Sequence, residues 1–228
     1  MHDYLPNIQI KVNNYLFIKD PESSALGKRI IAGSIELLYQ QGFEDFNFKK
    51  LAKHIHSTEA SIYRYFENKH KILLYLTMWY WGWTESKLIL STTNINDPKE
   101  LLKRAIRVIT QDVQEDGNFE HINEIKLQKV IYDESAKAYL NKYVDDENKH
   151  GVFSFYKSVV KRVSDIMLAI NPEYPFPNML VTTIIEGAHL QRYFGEHLPG
   201  LTNCSSKRDH ITQFSEHLVF SALNNKMI

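Results

Sequence analysis

Six residues between positions 59 and 65 combine a guanidinium, a carboxylate, a methyl group and several hydroxyl groups on one short predicted helix. Groups of these kinds read base edges in the major groove of DNA, where arginine pairs with guanine and a methyl group contacts thymine. Their spacing leaves them facing outward or across the helix rather than into its apolar side. The residues are Glu59, Ala60, Ser61, Tyr63, Arg64 and Tyr65. Types and spacing together indicate recognition of duplex DNA rather than catalysis.

Two short helices joined by a tight turn must position those residues. The first helix has one apolar face, because its apolar residues recur at i, i+3, i+4 and i+7. They are Phe48, Leu51, Ala52 and Ile55. Asn47 precedes this helix as an N-cap. His56 and Ser57 interrupt the pattern, and Thr58 caps the second helix. The arrangement predicts a helix-turn-helix whose second helix enters a major groove.

The charges of the whole chain balance, with 27 basic and 27 acidic residues, so a polycation that coats nucleic acid is excluded. Between positions 24 and 75, however, eight Lys and Arg stand against five Asp and Glu, before any histidine is protonated. This local surplus allows only a small phosphate footprint. It therefore favours a dimer, which doubles the footprint.

The composition predicts a folded protein without disulfides. With 43% hydrophobic and 24% charged residues, the 228-residue chain can bury a core. The single cysteine, Cys204, excludes internal disulfides and Cys-rich zinc sites. Residues 1–20 lack the apolar stretch of a signal peptide, and the apolar run at 72–83 is too short to span a bilayer. We therefore expect a cytoplasmic protein with no membrane partner.

Long segments with helical periodicity, and few Gly and Pro, predict an all-α fold of about nine helices. Residues 135–144 either extend the helix before them or form a separate turn. Besides the helix-turn-helix, the expected helices cover residues 24–41, 69–91, 98–115, 120–132, 145–170, 178–197 and 206–223.

The N-terminus departs from this helical pattern. Ile8, Ile10 and Val12 alternate with polar residues before a plausible turn at Asn13 and Asn14, so we expect a short β-hairpin arm. The arm either packs against the body or reaches DNA with its lysines. Those lysines are Lys11 and Lys19.

The order of residues from about 25 to 74 resembles the TetR family of bacterial one-component transcriptional regulators. Members end their first helix with an apolar pair and then Gly-aromatic, continue with Ile/Leu-Ala, and follow with Ser/Thr-x-x-x-apolar-Tyr-x-x-Phe-x-x-Lys. The matching residues are Leu37-Leu38, Gly42-Phe43, Leu51-Ala52, Thr58, Ile62-Tyr63, Phe66 and Lys69. The family usually has Gly-Val in the turn, where this chain has His56-Ser57. Histidine tolerates a left-handed backbone, at a cost.

The resemblance implies three domains and a role for each DNA-facing residue. An arm at 1–22 precedes a DNA-binding domain at 23–70 with three helices, and residues 71–228 bind an effector and dimerise. Phosphate contacts are implied for Thr58, Tyr63, Tyr65 and Lys69, base contacts for Glu59, Ala60, Ser61 and Arg64, and DNA-backbone contacts for Lys49 and Lys50. The alternative is that the tyrosines pack in the protein and the lysines form a solvated face.

The resemblance also implies an effector pocket among helices of the C-terminal domain and a dimer formed by its last two helices. Each aromatic residue can instead be ordinary core, and each helix stripe can instead be buried within one chain. The candidate pocket residues are Trp79, Trp83, Phe119, Phe153, Tyr156, His189 and Tyr193. The candidate interface residues are Leu180, Ile184, Gly187, Gln191 and Phe194 on one helix and Ile211, Phe214, Leu218 and Ala222 on the other.

An enzymatic alternative rests on three Glu-x-x-His pairs, since a di-iron helical bundle uses two of them. The pairs are Glu67/His70, Glu147/His150 and Glu186/His189. One of them lies on an apolar helix, and serine-nucleophile and phosphate-loop motifs are absent from the sequence. We therefore expect no enzyme activity, no metal and no cofactor. The expected function is a homodimeric repressor that binds a near-palindromic operator and is released by a small apolar or aromatic effector.

Overall fold

A computed structural model describes residues 10–114, 119–205 and 210–224. Within these ranges the chain forms ten α-helices and three short 3-10 turns, with no β-strand. The all-α prediction is confirmed. The helices are α1 (Ala25–Asp45), α2 (Phe48–His54), α3 (Glu59–Tyr63), α4 (Lys69–Thr92), α5 (Pro98–Thr110), α6 (Glu124–Tyr139), α7 (Val144–Lys149), α8 (Ser154–Ile170), α9 (Pro177–His197) and α10 (Ile211–Asn224).

The predicted β-hairpin arm is wrong for the described part of the N-terminus. Asn13 Oδ1 accepts a hydrogen bond from Tyr15 N at 2.9 Å, and Asn14–Leu16 form a 3-10 turn. Leu16 is 1% exposed, and Ile18 N donates to Tyr65 O at 2.8 Å. The segment packs against the body because it buries its apolar side chain and binds a backbone carbonyl without a partner strand. Ile8 lies outside the described residues.

Helix α1 begins at its predicted cap and leaves helical geometry at Gly42. Ser24 Oγ accepts a hydrogen bond from Gly27 N at 3.1 Å. Gly42 has φ +74° and ψ 172°, a conformation that residues with a Cβ rarely adopt. The sequence therefore predicted the break correctly, although α1 as a whole ends at Asp45.

Three other predicted helix bounds are wrong. Helix α5 ends at Thr110, where Gln111 turns the backbone to an extended conformation. Helix α6 begins only after Asn123, whose side chain accepts a hydrogen bond from Lys126 N, and it then continues to Tyr139. The single helix expected at 145–170 is two helices, because Gly151 adopts φ +78° between α7 and α8.

The contacts divide the chain into two compact units. Unit 1 contains the described residues up to 83 and from 113 to 155, and unit 2 contains residues 84–112 and the described residues from 156. Helices α1–α3, α6 and α7 belong to unit 1, together with most of α4. Helices α5, α9 and α10 belong to unit 2, together with most of α8. The functional boundaries expected after residues 22 and 70 stay predictions.

Each unit has its own buried core. In unit 1, Tyr75 and Trp79 of α4 are 1% and 2% exposed. In unit 2, helix α10 packs against α5 and α9. There the Asn171 amide also donates to Leu223 O at 2.9 Å. Among the described residues, every helix is too short or too polar to cross a lipid bilayer.

Candidate functional site

Both helices of the predicted helix-turn-helix are present, and each begins after its predicted N-cap residue. Asn47 Oδ1 accepts a hydrogen bond from Lys50 N at 2.9 Å, and Thr58 Oγ1 accepts one from Ser61 N at 3.2 Å. The turn between the helices places His56 at φ +51°, in the left-handed region that glycine favours. The apolar side of the motif is closed, since its central residues are fully buried: Leu51, Ile62 and Phe66.

The opposite side of α3 is exposed. Glu59, Ala60 and Arg64 are exposed, Tyr63 is 50% exposed, and Ser61 is half-buried. The Arg64 guanidinium donates to Ser61 Oγ at 3.1 Å, so its position is held by a hydroxyl of the same surface. The structure thus brings guanidinium, carboxylate, hydroxyl and methyl groups together on one face, which is the chemistry that reads base edges.

The prediction that Tyr65 faces DNA is wrong, because its side chain does not point outward. Its side chain is 4% exposed, and its hydroxyl lies 2.7 Å from Ser24 Oγ. This hydrogen bond to Ser24 lowers the pKa of the Tyr65 hydroxyl. Tyr65 therefore fastens the end of α3 to the cap of α1, and we remove it from the candidate phosphate contacts.

Two of the candidate lysines bind the protein's own backbone. Lys50 Nζ donates to Asp45 O at 2.7 Å, and Lys69 Nζ donates to Phe43 O at 2.8 Å and to Glu44 O at 3.1 Å. Both ammonium groups therefore satisfy carbonyls at the end of α1, where cations are stabilised.

Two further lysines of α2 are exposed to solvent. Lys49 is exposed, and so is Lys53, which is not one of the predicted DNA-contacting residues. The two residues lie at i and i+4 and share one helix face. That spacing would have identified Lys53 from the sequence.

The predicted effector residues of unit 1 form two aromatic groups. Trp79 packs edge-on against Phe119 with ring centroids 4.8 Å apart, and its ring lies 6.1 Å from that of Trp83. Phe153 instead packs edge-on against Tyr139 at 5.7 Å. The Tyr139 hydroxyl accepts a hydrogen bond from Trp81 Nε1 at 2.9 Å, so Phe153 belongs to a second aromatic group.

The other three candidates lie in unit 2. Tyr156 Oη donates to Glu186 at 2.9 Å, and the exposed ring of Tyr193 lies 4.5 Å from that of His197. His189 is 4% exposed. Burial, and then the positive charge of Arg192, lowers the pKa of His189 to about 3, so this imidazole is neutral near pH 7.

Two cavities of unit 1 are lined mainly by residues outside the aromatic groups. One, of about 240 Å³, is lined by Ile10, Lys11, Val12, Phe17, Asp20, Glu22 and Tyr75. The other, of about 310 Å³, is lined mainly by α1 and by residues 119–126, and it includes Phe119. Phe119 is therefore the candidate effector residue that lines one of these two cavities.

The exposed face of α9 is shifted by one position along the sequence from the predicted interface stripe. Leu180 and Ile184 are 9% and 3% exposed, so they are core residues rather than exposed contacts. Gly187, Gln191 and Phe194 are half-buried. The exposed stripe follows i, i+4, i+7, i+11 and i+14 and consists of Met179, Thr183, Glu186, Leu190 and Tyr193.

On α10 the predicted stripe is partly right. Ile211 is buried at 3% and is corrected to a core residue, whereas Phe214 is 58% exposed. Leu218 and Ala222 are half-buried. The exposed apolar side chains of the last two helices are thus Met179, Leu190, Tyr193 and Phe214, and their part in a dimer stays a prediction.

In one of the three Glu-x-x-His pairs, Glu67/His70, the histidine contacts a glutamate of another pair. His70 Nε2 lies 2.8 Å from Glu147 of α7, which comes from another pair. Within the described ranges no three His, Cys, Asp or Glu side chains gather as a metal site would require.

The family comparison identifies the N-terminal region. Residues 30–76 match the family model of bacterial regulatory proteins of the tetR family. This segment contains most of α1, both helices of the helix-turn-helix and the start of α4. No curated protein sequence matches the chain.

Solved structures share the fold at low sequence identity. The fatty acid degradation regulator FadR from Bacillus halodurans is 16% identical with a TM-score of 0.58, and the match covers 86% of this chain and 94% of that chain. A protein from Saccharomonospora viridis, described as a transcriptional regulator and solved with choline, is 18% identical with a TM-score of 0.59 over 86% of this chain and 97% of that chain. A protein from Shewanella sp. PV-4, described as a tetR family regulator, is 16% identical with a TM-score of 0.56 over 90% and 98%.

Proposed function

We propose that this chain is a TetR-family repressor that binds a near-palindromic operator as a homodimer, on the support of the family match at residues 30–76 and of the shared fold. The observation that carries the proposal is the exposed face of α3, where Glu59, Ala60 and Arg64 lie on a motif whose other side is fully buried. The proposal includes no enzymatic step, metal or cofactor. It assigns the protein to the cytoplasm, where its DNA partner lies.

In the proposed complex, each copy of α3 enters a major groove. Two copies related by a twofold axis reach successive grooves about 34 Å apart, which explains a near-palindromic operator. Arg64 and its neighbours contact bases, while Lys49, Lys53, Thr58 and Tyr63 contact phosphates. The net charge of zero makes this local set of cations responsible for the electrostatic part of binding.

We further propose that a small apolar or aromatic effector releases the operator. The support is the aromatic character of the candidate residues around Trp79 and Phe119, which favours a ligand with little charge. A relative with this fold is solved with choline, so the fold accommodates a small molecule. The effector need only differ in affinity between two states of the dimer, and such coupling is typically about 1–3 kcal/mol.

The DNA-binding proposal is tested with the region upstream of the protein's own gene. Fluorescence anisotropy of labelled fragments, competed with random duplex of equal length, measures both affinities at several salt concentrations. We expect one fragment to bind at least about 1,000-fold more tightly than random DNA, as specific regulators do. Equal affinity for every duplex would contradict the proposal.

The effector proposal is tested by intrinsic fluorescence. All three tryptophans, Trp79, Trp81 and Trp83, lie in α4, so their emission reports on the aromatic groups around Phe119 and Tyr139. Compounds that change this emission in a saturable way are then added to the protein–operator complex. We expect a subset to release the DNA, and emission changes that leave operator affinity unaltered would contradict the repressor mechanism.

A further inference from the structure

Two buried carboxylates of unit 1 hold the two ends of the helix-turn-helix. Glu134 of α6 is 6% exposed and Glu147 of α7 is 3% exposed. The first contacts the backbone just before α2, and the second contacts a side chain just after α3. Neither residue lies on the DNA-facing surface, and neither belongs to the aromatic groups described above.

Glu134 binds the entry to the motif. Its Oε1 accepts a hydrogen bond from Phe43 N at 2.8 Å, beside the left-handed Gly42. The Lys137 ammonium pairs with the same carboxylate and lies 3.5 Å from Glu44. The amide that follows the break in α1 is therefore held by a charged acceptor, and such hydrogen bonds are about twice as strong as neutral ones.

Glu147 binds the exit from the motif. Its Oε1 lies 2.8 Å from Nε2 of His70, the second residue of α4. Its Oε2 is buried and accepts no hydrogen bond from the described residues. A carboxylate in this setting is costly unless its one partner stays in place. The contact therefore restricts the start of α4 more strongly than an exposed ion pair would.

Lys69 joins the two ends. Its ammonium donates to Phe43 O, on the residue whose N–H binds Glu134, while the next residue is His70. Entry and exit of the motif are thus linked to each other and to α6 and α7. A displacement of either of these helices must break a part-buried hydrogen bond or move the DNA-reading residues with it.

We propose that Glu134 and Glu147 are positioning residues that fix the orientation of the helix-turn-helix from its two ends, so that operator affinity depends on two carboxylates that contact no DNA. This inference rests on the proposed DNA-binding function and adds to it the contacts through which α6 and α7 control the reading surface.

The first test uses amide hydrogen exchange of the DNA-free protein. In Glu134→Gln and Glu147→Gln, the side-chain shape is kept and the charge is removed. We expect exchange in residues 43–70 to become about five- to tenfold faster, because a charge-assisted hydrogen bond is replaced by a weaker neutral one or lost. Exchange in unit 2 should stay unchanged. Unaltered exchange of residues 43–70 in both variants overturns the inference.

The matched controls are Asp133→Asn and Asp145→Asn. Asp133 is an exposed carboxylate of α6, next to Glu134, and Asp145 is an exposed carboxylate in the first turn of α7. Both controls remove one negative charge from the same elements. They should match the wild type in exchange and in DNA affinity, and a control that equals the buried variants contradicts the assignment.

The second test measures operator affinity against salt. We expect each buried-carboxylate variant to bind about five- to tenfold more weakly with an unchanged salt slope, since no phosphate contact is lost. The double variant His70→Gln/Glu147→Gln should bind no more weakly than the worse single variant, because the two residues act as one pair. Wild-type affinity in Glu134→Gln and Glu147→Gln overturns the inference. If the wild type binds no specific DNA, the proposed function fails, and the exchange measurement decides the inference by itself.

Discussion

In the proposed complex, Arg64 is the side chain best placed to distinguish one operator from another. It is exposed, and its hydrogen bond to Ser61 pre-orients the guanidinium on the surface of α3. We expect Arg64→Ala to lose about 1–3 kcal/mol of binding free energy on the operator and little on random duplex, because a bidentate contact to a base is lost. Competition anisotropy measures both affinities. Equal losses on the two kinds of DNA would rule out base reading by Arg64.

Lys49 provides the comparison, since its ammonium is exposed whereas those of Lys50 and Lys69 bind backbone carbonyls. We expect Lys49→Ala to weaken operator and random DNA by the same factor and to reduce the salt slope by about one. Titrations at four or more salt concentrations give the slope. An unchanged slope would show that Lys49 neutralises no phosphate.

His189 makes the stability of the protein depend on pH. The pKa of His189 is about 3 in the folded protein because of burial, against 6.5 in the unfolded chain. Between these two pH values the unfolded chain therefore binds a proton that the folded protein does not bind. The contribution of His189 to the free energy of unfolding is complete above pH 6.5 and falls as the pH decreases towards 3. The slope reaches about 1.4 kcal/mol per pH unit.

Urea unfolding of the wild type and of His189→Leu at pH 7.5, 6, 5 and 4 tests this. We expect the wild type to lose more stability than the variant over this range, whatever their difference at pH 7.5. Parallel curves would mean that His189 becomes protonated in the folded state without penalty.

At the scale of single residues, the sequence predicts local contacts and misses distant ones. The caps Ser24, Asn47 and Thr58 bind amides three residues away, so their spacing reveals them. Tyr65 binds Ser24, 41 positions earlier, and Lys69 binds Phe43, 26 positions earlier. No local pattern encodes those partners, and for this reason both residues look like surface groups in the sequence.

At the scale of elements, the break at Gly42 separates the long first part of α1 from the helices proposed to read DNA. Its backbone angles suit glycine alone, and a Cβ there would lie 3.1 Å from the Glu134 carboxylate. We expect Gly42→Ala to reduce the free energy of unfolding by about 1–3 kcal/mol, the usual cost of such backbone strain. Urea denaturation measures it.

Gly200→Ala is the matched control for this change, because a Cβ at Gly200 would meet no atom within 4 Å and its φ is not positive. The control should alter stability by less than about 0.5 kcal/mol, as surface substitutions generally do. Equal effects of the two substitutions would show that the backbone of Gly42 carries no special constraint.

Element boundaries show which signals the sequence contains. Helix α9 has a firm Pro-rich start, and its predicted bounds, 178–197, agree with Pro177–His197. The break at Gly151 was missed because a glycine within a helical pattern is often tolerated, and the left-handed backbone becomes visible only in the structure. The predicted interface stripe of α9 lies one position away from the exposed stripe. The reason is that a helix with apolar residues on several sides has no unique outward face in its sequence.

At the scale of the whole molecule, the proposed operator binding depends on two copies acting together. The chain has no net charge, and its local basic surplus is small, so one copy supplies few phosphate contacts. The dimer proposed from α9 and α10 doubles them. Its apolar contacts come from the exposed side chains Leu190 and Phe214 rather than from the buried Leu180 and Ile184.

We expect the double variant Leu190→Glu/Phe214→Glu to be a monomer in sedimentation velocity, because two carboxylates would be buried unpaired at the interface. Both side chains are at least half exposed in the single chain, so the fold itself should tolerate the change. Operator affinity should fall at least about 100-fold, since the second half-site is no longer bound in the same complex. Leu140→Glu, on a residue 84% exposed in unit 1, is the control and should stay dimeric. A double variant that remains dimeric would place the interface elsewhere, whereas a monomer with full operator affinity would show that one helix-turn-helix is sufficient.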